Sequence, residues 1–179
     1  GTGNAAVILK FFLKKKDIEK NIKKFEKEIG SDLRLFFFKQ AFQRNLINIV
    51  KYKKKYKFYA TIVFPRLNCS TKQIYSKVKK YSRPSKADFS RINDKSQSNF
   101  IQFLKYEKND LQDIVLKKYP IIAKIIDLIS IQKGCVFSRL TGSGSACFGI
   151  FNSYKLAKDA SKKIKKKYPQ FWCIATKTI

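Results

Sequence analysis

Histidine and methionine are absent from this 179-residue chain. Without histidine, every Ser-His and Cys-His catalytic scheme is excluded, and the commonest zinc ligand is missing. The four cysteines, Cys69, Cys135, Cys147 and Cys173, form no C-x-x-C pair, so no zinc-site spacing remains. Three of them lie in apolar, strand-like segments, which points to reduced core thiols and a cytoplasmic setting. No apolar run reaches the roughly 18 residues that a membrane helix needs. The best attempt, "PIIAKIIDLISI", is broken by Lys124 and Asp127. The first apolar stretch carries its lysine cluster after it, the reverse of a secretory signal. Acidic residues are also scarce, 12 against 40 Lys and Arg.

The chain is 44% hydrophobic and 15% aromatic. That is too apolar for a disordered polymer, and the length suffices for one good core or two small domains. The net charge of +28 suggests a nucleic-acid partner at first. The charge is nearly all lysine, however, and it accompanies abundant Ile, Phe, Asn, Tyr and Ser, the residues an AT-rich genome encodes. Nucleic-acid readers favour arginine, whose planar fork suits phosphate and guanine. The charge is therefore assigned to a solvated surface and nucleic acid is not the expected partner. A basic α+β module binding single-stranded RNA through lysines and tyrosines stands as the alternative.

Periodicity predicts a helix in "NAAVILKFFLKK" with its N-terminus at Gly1 to Asn4, and a second over Asp17 to Ile29, capped by Asp17 and stopped by Gly30. "KFYATIVFP" is the clearest strand, closed by Pro65. A short helix capped by Ser70 or Thr71 follows. Residues 83–99 lose the apolar rhythm and read as a loop. Helices are expected over Asn99–Leu104, Asp110–Tyr119 and Pro120–Ile131, with Pro120 at a first helical position and Gly134 beyond the end. Strands "CVFSRLT" and "ACFGIF", an amphipathic helix with Leu156, Ala160 and Ile164 on one face, and the strand "FWCIATKTI" complete the chain. A sheet with helices packed on one face is the natural α+β solution.

Three constellations could carry chemistry. "GTGNAA" opens a helix, where glycine admits an anion to the backbone N–H groups and the helix end adds partial positive charge; an ordinary terminus would look the same. In "GSDLRLF", Asp32 could accept a substrate hydroxyl proton, or Ser31 or Asp32 could cap the next element. In "TGSGSACF", Gly142, Ser143 and Gly144 could form a simple hairpin turn, or allow a close approach to a nucleotide or another segment.

These motifs occur in order with "P-x-x-x-S-T-x-x-x-Y" and "N-D-L". In combination they resemble the GHMP small-molecule kinases, and among those the branch acting on cytidine diphosphate methylerythritol. The resemblance implies a two-domain GHMP fold, truncated at its N-terminus. Residues 1–54 would be the remnant of the ATP-binding domain, and 55–179 a ferredoxin-like α+β C-terminal domain. It implies ATP-dependent phosphorylation of the substrate's 2-hydroxyl in non-mevalonate isoprenoid synthesis. Gly1, Thr2, Gly3 and Asn4 match the tail of the ATP phosphate loop, with Thr2-Gly3 where the family has Ser-Ser. Asp32 matches the catalytic aspartate, with Arg34 in place of the motif's proline. Thr71 and Tyr75 match substrate positions, the ring stacking on cytosine. Gly142, Ser143 and Gly144 match the third glycine-rich motif, which would fit close to the phosphate loop. Asn109 to Leu111 match a family stretch that continues with Glu where this chain has Gln112; from the residues alone, this is a helix cap. Magnesium would arrive on ATP, with Thr2 its one candidate protein contact. A lysine that the family supplies from an earlier strand is absent from these residues, so the chain by itself is expected to be inactive.

Overall fold

The computed structural model of the chain describes residues 2–52, 55–82 and 95–178. These fall into two compact units, one running up to Lys55 and the other from Tyr56 to Thr178, with Lys95 grouped with the first.

The first unit opens with α1 (Thr2–Phe12) and α2 (Lys15–Ile29), followed by a 3-10 turn over Leu33–Phe37. A small antiparallel hairpin of β1 (Ala41–Gln43) and β2 (Ile49–Lys51) completes it, with Phe42 opposite Val50. Ala6, Ile18 and Leu33 form its buried centre. The second helix starts two residues before the expected Asp17, and its cap position, Lys14, makes no side-chain cap bond. Asp17 instead lies in the first turn, where a carboxylate favours the helix dipole without capping. Gly30 ends this helix as expected, with φ 146° and its N–H on the Glu26 carbonyl. The hairpin escaped the sequence reading because its strands are three residues long; Asn45 organises its turn by accepting from the N–H groups of Ile47 (2.9 Å) and Asn48 (2.8 Å).

The second unit holds β3 (Tyr59–Phe64), α3 (Thr71–Tyr75), α4 (Gln97–Tyr106), α5 (Gln112–Lys118), α6 (Pro120–Ser130), β4 (Cys135–Leu140), β5 (Cys147–Phe151), α7 (Tyr154–Lys167) and β6 (Trp172–Lys177). The sheet order is β4-β5-β3-β6, every pair antiparallel. Strand, helices, two strands, helix, strand in this order is the ferredoxin-like arrangement.

Alternation along the strands sends Thr61 and Val63 to the covered face, with Val63 opposite Cys147 and Cys173 in its two neighbours. Val115, Ile122, Ile125 and Ile129 from α5 and α6 and Ala157, Ala160 and Ile164 from α7 close that face. Each buried Ile or Val contributes about 1.5–3 kcal/mol by leaving water. The lysines of α7 occupy the opposite side of the helix. The one buried hydroxyl among these strands, Thr61 Oγ1, donates to the Ala157 carbonyl at 2.7 Å, so no desolvation cost is left standing.

Most of the expected loop over 83–99, namely 83–94, lies outside the described residues. Its last positions are helical: α4 begins at Gln97, and the Ser96 hydroxyl accepts from the Asn99 N–H at 3.2 Å. The apolar rhythm becomes visible only at Phe100, one turn later, which hid this start from pattern reading.

Candidate functional site

In the first unit, the first turn of α1 rests on the segment that carries Asp32. A Cβ placed on Gly30 would lie 3.1 Å from the Thr2 hydroxyl, and one on Gly3 would lie 3.2 Å from the Phe36 ring. Thr2 and Gly3 are half-buried in this contact, and Asn4 is exposed. Gly1 lies outside the described residues. Asp32 occupies the position before the 3-10 turn, yet its side chain makes no cap bond. Its backbone carbonyl serves the turn by accepting from the Leu35 N–H at 3.1 Å. The capping explanation for this aspartate therefore fails, and the carboxylate is exposed. Arg34, two residues on, points back to α2 in a largely buried ion pair with Glu26.

In the second unit, α3 and the bend between β4 and β5 come together. The Ser70 hydroxyl caps α3 by accepting from the Gln73 N–H. Capping leaves Thr71 at the first helical position, where its hydroxyl lies 2.9 Å from that of Ser143. Tyr75, half exposed, shares an open cleft of about 450 Å³ with Tyr81, Lys108, Asn109, Arg139 and Gly142. The bend itself needs glycine for conformational reasons. Gly142 has φ +48° and Gly144 φ +87°, a region that costs other residues about 1–2 kcal/mol. At Gly144 crowding adds to this, since a Cβ would meet Leu140 at 3.1 Å. At Gly142 nothing lies within 4 Å of such a Cβ. Among the protein's own atoms, then, angle and crowding both select glycine at Gly144, whereas at Gly142 the backbone angle is sufficient.

Asn109 does more than cap. Its Oδ1 accepts from the Leu111 N–H at 3.1 Å, and its Nδ2 donates to the carbonyls of Leu140 (3.2 Å) and Gly142 (2.8 Å). Gln112 Oε1 accepts from the Leu140 N–H at 2.9 Å, an acceptor role that glutamate would fill equally. The Arg139 guanidinium donates to the carbonyls of Leu104 (3.0 Å) and Lys105 (3.3 Å) and lies over the Phe137 ring. Burial pulls it below its usual value, and the Glu107 carboxylate opposes that shift. All four cysteines are free. Burial pushes the Cys147 thiol up to about 12 and that of Cys135 to about 11, so neither is a reactive thiolate.

Residues 86–170 match the family described as GHMP kinases C terminal. Much of the second unit is therefore similar to a GHMP kinase C-terminal domain. The 4-diphosphocytidyl-2-C-methyl-D-erythritol kinase of Pelagibacter ubique is 39% identical over 185 residues, an alignment spanning 100% of this chain and 63% of that protein. Its namesake from Wolbachia pipientis is 39% identical over 111 residues, covering 62% of this chain and 37% of the relative. Among solved structures, a 4-(cytidine 5′-diphospho)-2C-methyl-D-erythritol kinase matches with a TM-score of 0.59 at 19% identity, over 83% of this chain and 54% of that one. A homoserine kinase from Cytophaga hutchinsonii matches at 0.54 and 16%, over 74% and 44%. These two likenesses show a shared fold.

Within the second unit, the structure brings Thr71, Tyr75 and the glycine bend together; Thr2, Gly3 and Asp32 belong to the other unit. Asn109 was the residue whose role the sequence understated. The signal was its place beside Gln112 ahead of α5, but only the fold reveals which carbonyls its amide reaches.

Proposed function

We propose that the chain belongs to an ATP-dependent cytoplasmic kinase that phosphorylates the 2-hydroxyl of 4-(cytidine 5′-diphospho)-2-C-methyl-D-erythritol, a step toward isoprenoid precursors. The observation that carries this reading is the 39% identity to a kinase of that name along the whole of this chain. The chain spans about 63% of the length of that relative.

Phosphoryl transfer asks a protein chiefly for positioning and charge stabilisation. In this reading Thr2, Gly3 and Asn4 offer the N-terminus of α1 to the ATP phosphates, with Gly1 ahead of them. Asp32, uncommitted to capping, orients the hindered tertiary hydroxyl and takes its proton. Tyr75 stacks on the pyrimidine and Thr71 contacts the same ligand. Gly142, Ser143 and Gly144 shape the cleft wall beside them. Among the described residues no group of three His, Cys, Asp or Glu could hold a metal ion. In this reading magnesium would arrive on the substrate phosphates, with the Thr2 hydroxyl the protein group that would reach it. When bound, the ion neutralises charge developing on the transferred phosphate.

The test is a calorimetric titration of the chain with the cytidine diphosphate substrate in the presence of MgATP. Saturable binding that Tyr75→Ala weakens by about 1–3 kcal/mol is expected. Absence of binding at millimolar concentration overturns the reading. Single-stranded RNA binding that survives about 0.2 M salt would favour the RNA module instead, because purely electrostatic contacts weaken steeply there.

A further inference from the structure

We propose that Asn109 is a positioning residue that prepares the Leu140–Gly144 bend to receive the phosphates of a nucleoside diphosphate. The inference rests on the kinase reading above, in which Tyr75 holds the base.

A peptide bend presents both carbonyl oxygens and N–H groups. An anion is attracted by the second and repelled by the first. Here three consecutive carbonyls are drawn back into the protein. Those of Leu140 and Gly142 accept from the Asn109 carboxamide at 3.2 and 2.8 Å, and that of Thr141 accepts from the Gly144 N–H at 2.9 Å. The Ser143 hydroxyl is tied to Thr71. One side chain thus supplies two of the three bonds, and its own orientation is held by the Leu111 N–H on Oδ1. Lys108 and Arg139 line the same cleft as Tyr75 and Gly142, against one carboxylate, Asp110, which accepts from the Ser82 N–H, so the excess of cations suits a negatively charged ligand. A base on Tyr75 and a diphosphate along the bend would occupy one continuous surface within this unit.

Asn109→Asp keeps the Oδ1 acceptor and removes the donor that faces two carbonyls, but it adds a negative charge; Asn109→Ala, which removes the donor without adding charge, is therefore titrated beside it and must show the same CDP-selective loss. The probes are CDP and cytidine, titrated by NMR into the 179-residue chain. Loss of the charge-sensitive contact is expected to weaken CDP about tenfold, while cytidine stays within about twofold. A purely structural role for Asn109 would weaken both together, and that result overturns the inference, as does no change in either. In the unaltered chain, the Gly142 and Ser143 amide signals are expected to move with CDP and stay still with cytidine. The opposite pattern overturns the inference even if the variant fails to fold. A wild-type chain that binds neither probe removes the kinase reading with it. One that binds both equally well before and after Asn109→Asp removes the inference alone.

Discussion

The hydroxyls of Thr71 and Ser143 lie 2.9 Å apart across 72 residues of sequence. One opens a five-residue helix and the other sits in the middle of a glycine bend, and both motifs came from the sequence separately. Their contact converts two weak patterns into one surface, with Tyr75 one turn further along α3.

Tyr75 is 50% exposed, too open to serve the core. Replacing it by alanine is expected to lower affinity for the cytidine nucleotide by about 1–3 kcal/mol, the range for a base stacked on an aromatic ring, while unfolding free energy stays within about 0.5 kcal/mol. Tyr75→Phe should retain most of the affinity. Titration calorimetry beside a urea melt separates the two effects.

The two bend glycines should respond unequally. Gly142→Ala meets only the backbone penalty, about 1–2 kcal/mol. Gly144→Ala meets the same penalty and a contact with Leu140 at 3.1 Å, and should cost more than Gly142→Ala. Equal urea midpoints for the two variants would contradict the crowding at Gly144.

Arg34 and Glu26 are 23% and 12% exposed as side chains, and Arg34 Nε and Glu26 Oε1 are buried without a hydrogen-bond partner. Removing one charge strands the other, so Arg34→Ala or Glu26→Ala should each destabilise the first unit by about 3 kcal/mol. The double variant Arg34→Met with Glu26→Leu should recover most of that loss, because an imperfectly satisfied buried pair contributes little over apolar packing. Hydrogen exchange of the α2 amides reports the local stability.

Cys147 is neutral in the folded state to about pH 12, against an ordinary value of 9.0. The unfolded thiol ionises first, so the folded state binds more protons between those values. Its contribution to stability is complete below pH 9 and declines as pH rises toward 12. Between pH 8 and pH 10, the wild type should lose more unfolding free energy than Cys147→Ala, with lysine titration common to both. Ellman's reagent at pH 8 should label this thiol only after denaturation.

Element type and order were largely legible in the sequence because each buried face imposes its own period. Ile18 and Ile22 mark α2, Ala160 and Ile164 mark α7, and the β-branched run in β3 marks the central strand. The start of α4 and the short hairpin near Asn45 were hidden, since neither carries a full apolar repeat. Glycine pairs announced a special backbone at 142 and 144, but could not say whether angle or crowding required it.

By itself the chain of residues determined the α+β class, the exclusion of histidine chemistry and the order of the kinase-like motifs, all of which follow from local composition and spacing. Only the tertiary structure decided that Asp32 does not cap, that Thr71 meets Ser143, and that Asn109 holds the carbonyls of Leu140 and Gly142. Each of these depends on which distant backbone groups become neighbours once the sheet closes and the helices cover one face. Hydrogen bonds act over about 3 Å, a scale at which sequence separation carries no information.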